Sequence, residues 1–165
     1  MNNVKKVKKF LEERGLLGNY LEFSESSATV ELAAQRLNCE TGRIAKSLTF
    51  ITAKGPVIVV AMGMAKVDNR KFKDFFKQKA CLAKPDTLLD LVGHPMGGVC
   101  PFALRPGVEV FLDQSLRLFD PVYPAAGAPN NMVRLSLAEL EDLTDAAWID
   151  VCKFEQNERQ GESGN

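Results

Sequence analysis

The stretch Ile44-Ala45-Lys46-Ser47-Leu48-Thr49-Phe50-Ile51-Thr52, followed by Ala53-Lys54-Gly55-Pro56 and Val57-Ile58-Val59-Val60-Ala61-Met62, decides how the fold is read. Side chains alternate across a strand. A strand over about Lys46 to Thr52 therefore puts Lys46 on one face with Leu48 and Phe50, and Ala45, Ser47, Thr49 and Ile51 on the other. Lys54-Gly55-Pro56 has turn chemistry. Val57 to Met62 is apolar throughout, the pattern of a strand covered on both faces. The pair reads as a hairpin. A lysine that opens an apolar face sits at the rim of a core or a pocket. Its ammonium costs free energy there unless a phosphate, a carboxylate or carbonyl oxygens compensate. The plainer alternative is a rim lysine that reaches water or a local acid.

Working outward, Val4, Val7, Phe10 and Leu11 share a helix face that Gly15 is placed to end. Tyr20 to Phe23 reads as a short strand. Thr29 can cap a helix that faces inward through Val30, Ala33, Ala34 and Leu37. Glu40 to Ala45 reads as a helical turn leading into the central strand. Downstream, Asp68 caps a helix through Lys79, with Phe72, Phe75, Phe76 and Ala80 inward. Asp86 caps another, with Leu88, Leu89, Leu91 and Val92, ended by Gly93. Then come the loop Gly97-Gly98-Val99-Cys100-Pro101-Phe102, a strand over Val108 to Leu112 and a turn over Asp113 to Leu116. Val122-Tyr123 and Met132 to Leu135 look like paired strands. Ser136 and Glu139 make a capping box, and Trp148 to Cys152 is a last strand. Helices and strands mix without regular βαβ alternation. That predicts one α+β domain over residues 1–153, built on a mixed or mostly antiparallel sheet. The polar segment 154–165 reads as a disordered tail.

A chain of 165 residues suits one domain with one sizeable core. No stretch is apolar for long enough to span a bilayer, and Met1 to Lys6 carries no secretory signal. The expected location is the cytoplasm, away from any membrane. Cys39, Cys81, Cys100 and Cys152 form no C-x-x-C pair, and His94 is the only histidine. They read as buried free thiols, so neither a metal site nor a disulfide frame is expected. There is no G-x-G-x-x-G after a strand and no G-x-x-x-x-G-K-[ST], so nucleotide cofactors have no support. Net charge is formally zero. Lys66, Arg70, Lys71, Lys73, Lys77, Lys79 and Lys84 nevertheless form a local basic stretch, and Lys5, Lys6, Lys8 and Lys9 another. Such a face can hold a phosphate backbone or be simply solvated.

Two patterns offer chemistry besides Lys46. His94 lies in a loop between Gly93 and Pro95, where a histidine is usually a surface residue. With Cys100 it could make a Cys-His pair, although such partners usually lie far apart in sequence. No serine sits in G-x-S-x-G. Gly97-x-x-x-Pro101 is the other pattern. Glycines let a ligand approach backbone N–H groups, and such donors stabilise a tetrahedral intermediate when aimed at its oxygen. As a bare pattern it is commonly only a turn.

Taken in order, Thr29 to Leu37, Ile44-Ala45-Lys46-Ser47-Leu48-Thr49-Phe50, Gly97-Gly98-Val99-Cys100-Pro101-Phe102, Val108 to Leu116 with its D-x-S-L turn, and Ala126-Gly127 before the last helix resemble the YbaK/prolyl-tRNA synthetase-associated family. The resemblance runs from about Leu21 to Cys152. It implies an α+β fold with a curved mixed sheet. It also implies a free-standing, metal-independent hydrolase that frees a wrong amino acid from tRNA, chiefly tRNA-Pro, at the acceptor end. An aminoacyl-tRNA synthetase is a possible partner. By the same resemblance, Lys46 anchors the tRNA 3′ end, Gly97 and Pro101 frame the loop that holds the aminoacyl carbonyl, and Ser47, Gly98, Val99, Cys100 and Gly127 shape the substrate site. The alanine-removing branch has a histidine in the late loop. Here Ala125 to Asn131 has none, and Asn130 or Asn131 would stand in. Cys, Ala, Ser and Thr all remain open as the amino acid removed. A non-catalytic tRNA-binding or synthetase-associated module of the same fold, and a thiol enzyme using Cys100, are the competing readings.

Overall fold

The computed structural model describes residues 2–27 and 29–154. The expected tail lies, from residue 155 on, outside the described residues. In chain order the elements are α1 (Asn3–Glu12), β1 (Tyr20–Glu22), α2 (Val30–Leu37), β2 (Ile44–Thr52), β3 (Gly55–Met62), β4 (Lys66–Val67), α3 (Asn69–Phe76), α4 (Leu88–Val92), β5 (Glu109–Asp113), β6 (Tyr123–Pro124), β7 (Asn131–Val133), α5 (Leu137–Thr144), β8 (Ala147–Ile149) and β9 (Cys152–Lys153).

The hairpin β2–β3 stands at the centre, with Lys46 opposite Ala61, Phe50 opposite Val57 and Thr52 opposite Gly55. Around it the main sheet runs β6-β2-β3-β5-β8. The sheet is mixed, as expected of an α+β domain. Its hairpin is antiparallel, while β6 on β2, β5 on β3 and β8 on β5 are parallel. β1–β7 and β4–β9 are separate antiparallel ladders. Strand β3 is covered on both faces, as its apolar run requires. Val57, Val59 and Ala61 enter one core with Phe50, Phe72 and Phe111. Ile58 and Val60 enter the other with Val7, Leu11, Leu112 and Leu140. Each of the Val, Ile, Leu and Phe side chains contributes about 1.5–3 kcal/mol when fully buried. A parallel β3–β5 pair needs a long crossover. That crossover carries β4, α3, α4 and the glycine loop.

The caps form largely where expected. The Thr29 hydroxyl accepts from Leu32 N at 3.1 Å, the Asp68 carboxylate from Arg70 and Lys71 N at 3.1 Å each, and Ser136 and Glu139 close a capping box. Several expectations are corrected. Helix α3 stops at Phe76, where Lys77 turns left-handed (φ 61°), and Phe75 is left 47% exposed instead of facing inward. Asp86 is not a cap, since it lies within a 3-10 turn over Pro85–Thr87. Leu89 is exposed. Val122 and Leu135 exchange hydrogen bonds of 2.8 and 3.0 Å and Ala125 bridges Met132, so the two segments do pair antiparallel, through isolated bridges. The strands beside these bridges also take other partners, β6 pairing with β2 and β7 with β1. The last strand is two. Val151 N donates to the buried Asp113 carboxylate at 2.8 Å and its carbonyl accepts from Asp68 N at 2.8 Å, so the chain changes ladders there. Among the described residues no helix is long and apolar enough to cross a membrane.

Candidate active site

The outer edge of β2 is covered at both ends and open in the middle. β6 pairs with Ile44 and Ala45. Further on, Ile51 N donates to the Cys81 carbonyl at 2.8 Å and Ala83 N to the Thr49 carbonyl at 3.0 Å. A pocket of ≈ 270 Å³ opens between these two coverings. Because it lies at a strand edge, both faces of β2 line it: Lys46 and Leu48 from one, Ser47 and Thr49 from the other. Ser27, Thr29, Val30 and Ala33, Ile44 and Ala45, Leu82, Ala83 and Leu88, the loop residues Met96, Gly97 and Val99, and Tyr123, Ala125, Ala128, Asn131 and Met132 complete the wall. A mostly apolar wall with a few placed polar groups is the common make-up of a small-ligand site.

Lys46 is half-buried, and its ammonium donates to the Ala65 carbonyl. The acceptor that a half-buried cation needs comes in part from the backbone just past β3. The glycine loop is built by two different constraints. Gly97 has φ +85° in a turn closed by Gly98 N donating to the Pro95 carbonyl at 3.0 Å, a backbone that favours glycine. Gly98 answers to crowding. A Cβ there would stand 2.4 Å from the Gly127 carbonyl carbon and 2.5 Å from Ala128 N. The two loops therefore lie backbone against backbone. Asn131 holds the second loop, its Oδ1 accepting from Ala126 N and Ala128 N at 3.1 Å each. Its Nδ2 donates to the Tyr20 hydroxyl at 3.1 Å, which donates in turn to Glu22 at 2.7 Å. Burial, then the Glu22 carboxylate, pushes the Tyr20 phenol up to about 12, so the donor stays protonated.

Of the residues singled out in the sequence, Lys46, Ser47, Gly97, Val99 and Asn131 meet in one lining. Gly98 and Gly127 are buried where the loops meet. Pro101 and Cys100 are buried and lie outside the lining. Asn130 also lies outside it. It exchanges bonds of 2.8 Å with the Phe23 backbone, through Nδ2 and through its carbonyl, and so fixes the end of β1. The alternation of β2 that marks Ser47 also marks Thr49, which was not singled out. Asn3 was missed as well, and no local signal shows it. From the first turn of α1 its Nδ2 donates to the Gly127 carbonyl at 2.6 Å and approaches His94 Nδ1 at 3.1 Å.

His94 is not at the surface; it is fully buried. Nδ1 accepts from Asn3, and Nε2 donates to the Phe102 carbonyl at 2.7 Å. Burial holds its pKa below the ordinary 6.5. Cys100 Sγ does lie 3.4 Å from Nε2. Burial pushes that thiol up to about 12, however, and the Nε2 proton is committed to Phe102. The contact therefore has neither a thiolate nor a free base, and the thiol-enzyme reading falls. None of the four cysteines is in a disulfide, and Cys100 and Cys152 are buried but Cys81 is exposed. Among the described residues no three His, Cys, Asp or Glu side chains gather as a metal would require.

A model of the aminoacyl-tRNA editing domain matches residues 24–143. An uncharacterized protein of Bacillus subtilis (strain 168), YwhH, is 46% identical over 134 residues, covering 80% of this chain and 85% of its own. EbsC of Enterococcus faecalis (strain ATCC 700802 / V583), named as a candidate Cys-tRNA(Pro)/Cys-tRNA(Cys) deacylase, is 24% identical over 131 residues, 78% of this chain and 80% of its own. A crystal structure described as a candidate trans-editing enzyme for prolyl tRNA synthetase superposes with a TM-score of 0.82 at 29% identity, over 93% of this chain and 99% of that one.

Proposed function

The chain belongs to the aminoacyl-tRNA editing domain family, and from that premise we propose that it is a trans-editing hydrolase that cleaves the ester of mischarged tRNA-Pro carrying a small wrong amino acid (Cys, Ala, Ser or Thr). The observation that carries this reading is the meeting of Lys46, Ser47 and Gly97 in one pocket of ≈ 270 Å³. That is room for an aminoacyl group with the tRNA terminus held at the mouth. In the proposed reaction Lys46 orients the terminal adenosine. Backbone donors of the Gly97 loop, whose exit Pro101 fixes, face the ester carbonyl. A water attacks the carbonyl carbon, the acyl C–O bond breaks, and the ribose oxygen leaves with a proton. Orientation and oxyanion stabilisation supply much of the acceleration for an already activated ester, and neither His94 nor Cys100 is needed.

The charge distribution fits a tRNA partner. Lys66, Arg70, Lys73, Lys77, Lys79 and Lys84 are exposed. Lys71 is partly tied, donating to Asp150 and the Cys152 carbonyl at 3.1 Å each. Lys79 and Lys84 flank the segment whose Leu82 and Ala83 line the pocket, which puts positive charge beside its mouth for the acceptor phosphates. A prolyl-tRNA synthetase is the partner that would supply the tRNA, in the cytoplasm.

Single-turnover cleavage of Cys-tRNA(Pro) by the wild type and by Lys46→Ala tests this assignment. The variant should keep its fold by circular dichroism and lose about 10²-fold in rate, roughly 2.7 kcal/mol. Equal rates would remove Lys46 from the machinery.

A further inference from the structure

The first turn of α1 lies against the second pocket loop. A Cβ on Gly127 would stand 3.0 Å from Asn3 Nδ2 and 3.5 Å from Val4 Cα. Asn2 caps the helix, its side chain accepting from Lys5 N at 2.8 Å, so the Asn3 amide is left for contacts beyond α1. Nδ2 donates to the Gly127 carbonyl at 2.6 Å and to His94 Nδ1 at 3.1 Å, which uses both of its protons. The partners fix these roles. A carbonyl only accepts, so the amide nitrogen must face it. Nδ1 is then the acceptor, Nε2 carries the ring proton, and that proton goes to the Phe102 carbonyl at 2.7 Å. His94 and Phe102 stand at the two ends of the glycine loop, and both are buried. The ring therefore closes this loop at its neck, and Asn3 joins the neck to the Gly127 loop. Gly97 and Val99 from one loop and Ala128 and Asn131 from the other line the pocket.

We propose that Asn3 is a positioning residue for the ester hydrolysis, its side-chain amide tying the closed glycine loop to the Gly127 loop so that the backbone donors of the Gly97 loop stay aimed at the ester carbonyl. This rests on the hydrolase reading above and deepens it. Oxyanion donors act because they are in place before charge develops. A displacement of about 1 Å caused by a change far from the chemistry costs about 10²-fold in rate. Asn3 lies outside the pocket lining and acts on the ester through the two loops. His94 is not an acid, a base or a nucleophile in this account; it is the post to which loop and helix are tied. Without the amide, the Gly127 carbonyl and Nδ1 both lose a donor, and the glycine loop loses its hydrogen-bonded tie to α1 and to the second loop. The exposed lysines beside the pocket mouth are untouched by the change. The loss therefore falls on the chemical step and leaves tRNA binding as it was.

The test is single-turnover cleavage of whichever of Cys-, Ala- and Ser-tRNA(Pro) the wild type cleaves fastest, read as maximal rate and half-saturating concentration. The variants are Asn3→Ala, His94→Gln and Ile149→Val, each assayed below its melting transition. Asn3→Ala should lower the maximal rate at least about tenfold and leave the half-saturating concentration within about twofold of wild type. Glutamine carries one acceptor and one donor, so His94→Gln can still bond Asn3 and Phe102 and should stay within about threefold of the wild-type rate. Ile149 is buried in the other core, on β8 at the far end of the main sheet from β6. Ile149→Val should melt lower and keep its rate, which separates positioning from a general loss of stability. A wild-type rate in Asn3→Ala, a loss that appears in half-saturation alone, a His94→Gln rate as low as that of Asn3→Ala, or an equal loss of rate in Ile149→Val overturns the proposal. Absence of any cleavage by folded wild type overturns the hydrolase reading and this one with it, whereas cleavage undiminished in Asn3→Ala overturns this one alone.

Discussion

His94 joins two parts of the chain that are far apart in sequence, Asn3 on one side of its ring and the Phe102 carbonyl on the other. Its pKa is depressed below 6.5 by burial, so between the folded value and 6.5 the unfolded chain binds more protons than the native one. Stability should be full above pH 6.5 and fall as pH drops toward the folded pKa, with a slope of at most about 1.4 kcal/mol per pH unit. Urea unfolding at a series of pH values should show that slope in the wild type and lose it in His94→Gln; the same slope in both would place the titration elsewhere. The sequence misplaces His94 because a histidine between glycine and proline looks like a loop surface, and its cover comes from α1 and from Phe102. Lys46 and Ser47 were legible because the alternation of a strand is local. Thr49 carried the same signal.

At the scale of elements, the pocket depends on two loops stacked through glycine. Gly98→Ala puts a Cβ against the Gly127 backbone at 2.4 Å, where no flexible side chain can give way. The variant should lose about 1–3 kcal/mol of stability and should also lose deacylation, because the Gly97 turn moves with its neighbour. Gly18 has nothing within 4 Å of its Cβ position, and Gly18→Ala should lie within about 0.5 kcal/mol of wild type. Denaturant melts of the pair make the comparison, and equal stability would refute the stacking. The double glycine was visible in the sequence as a loop. The partner that makes the second glycine necessary was not, because Gly127 belongs to another loop. Elements marked by their own residues, such as the central hairpin and the caps at Thr29 and Ser136, were read correctly. Those decided by competition between backbone edges were read only in part. The segments around Val122 and Leu135 pair through isolated bridges while β6 also joins β2 and β7 joins β1, and the last strand divides where Asp113 captures Val151 N.

Over the whole molecule, the long crossover between β3 and β5 brings the glycine loop and residues 81–83 to the open edge of β2. In a chain of zero net charge, the exposed Lys79 and Lys84 stand on either side of that segment. The mixed α+β character was legible from the irregular order of helices and strands. The parallel pairing of β5 and β8 was not, since apolar periodicity is the same for either direction. The central claim is selective hydrolysis of a mischarged ester. Its most direct test is to incubate the wild-type protein with tRNA-Pro charged separately with proline, alanine, cysteine and serine, and to follow the loss of each ester. Rapid loss of one or more of the wrong esters with prolyl-tRNA left intact is the predicted result; no loss of any ester, or equal loss of all four, would contradict it.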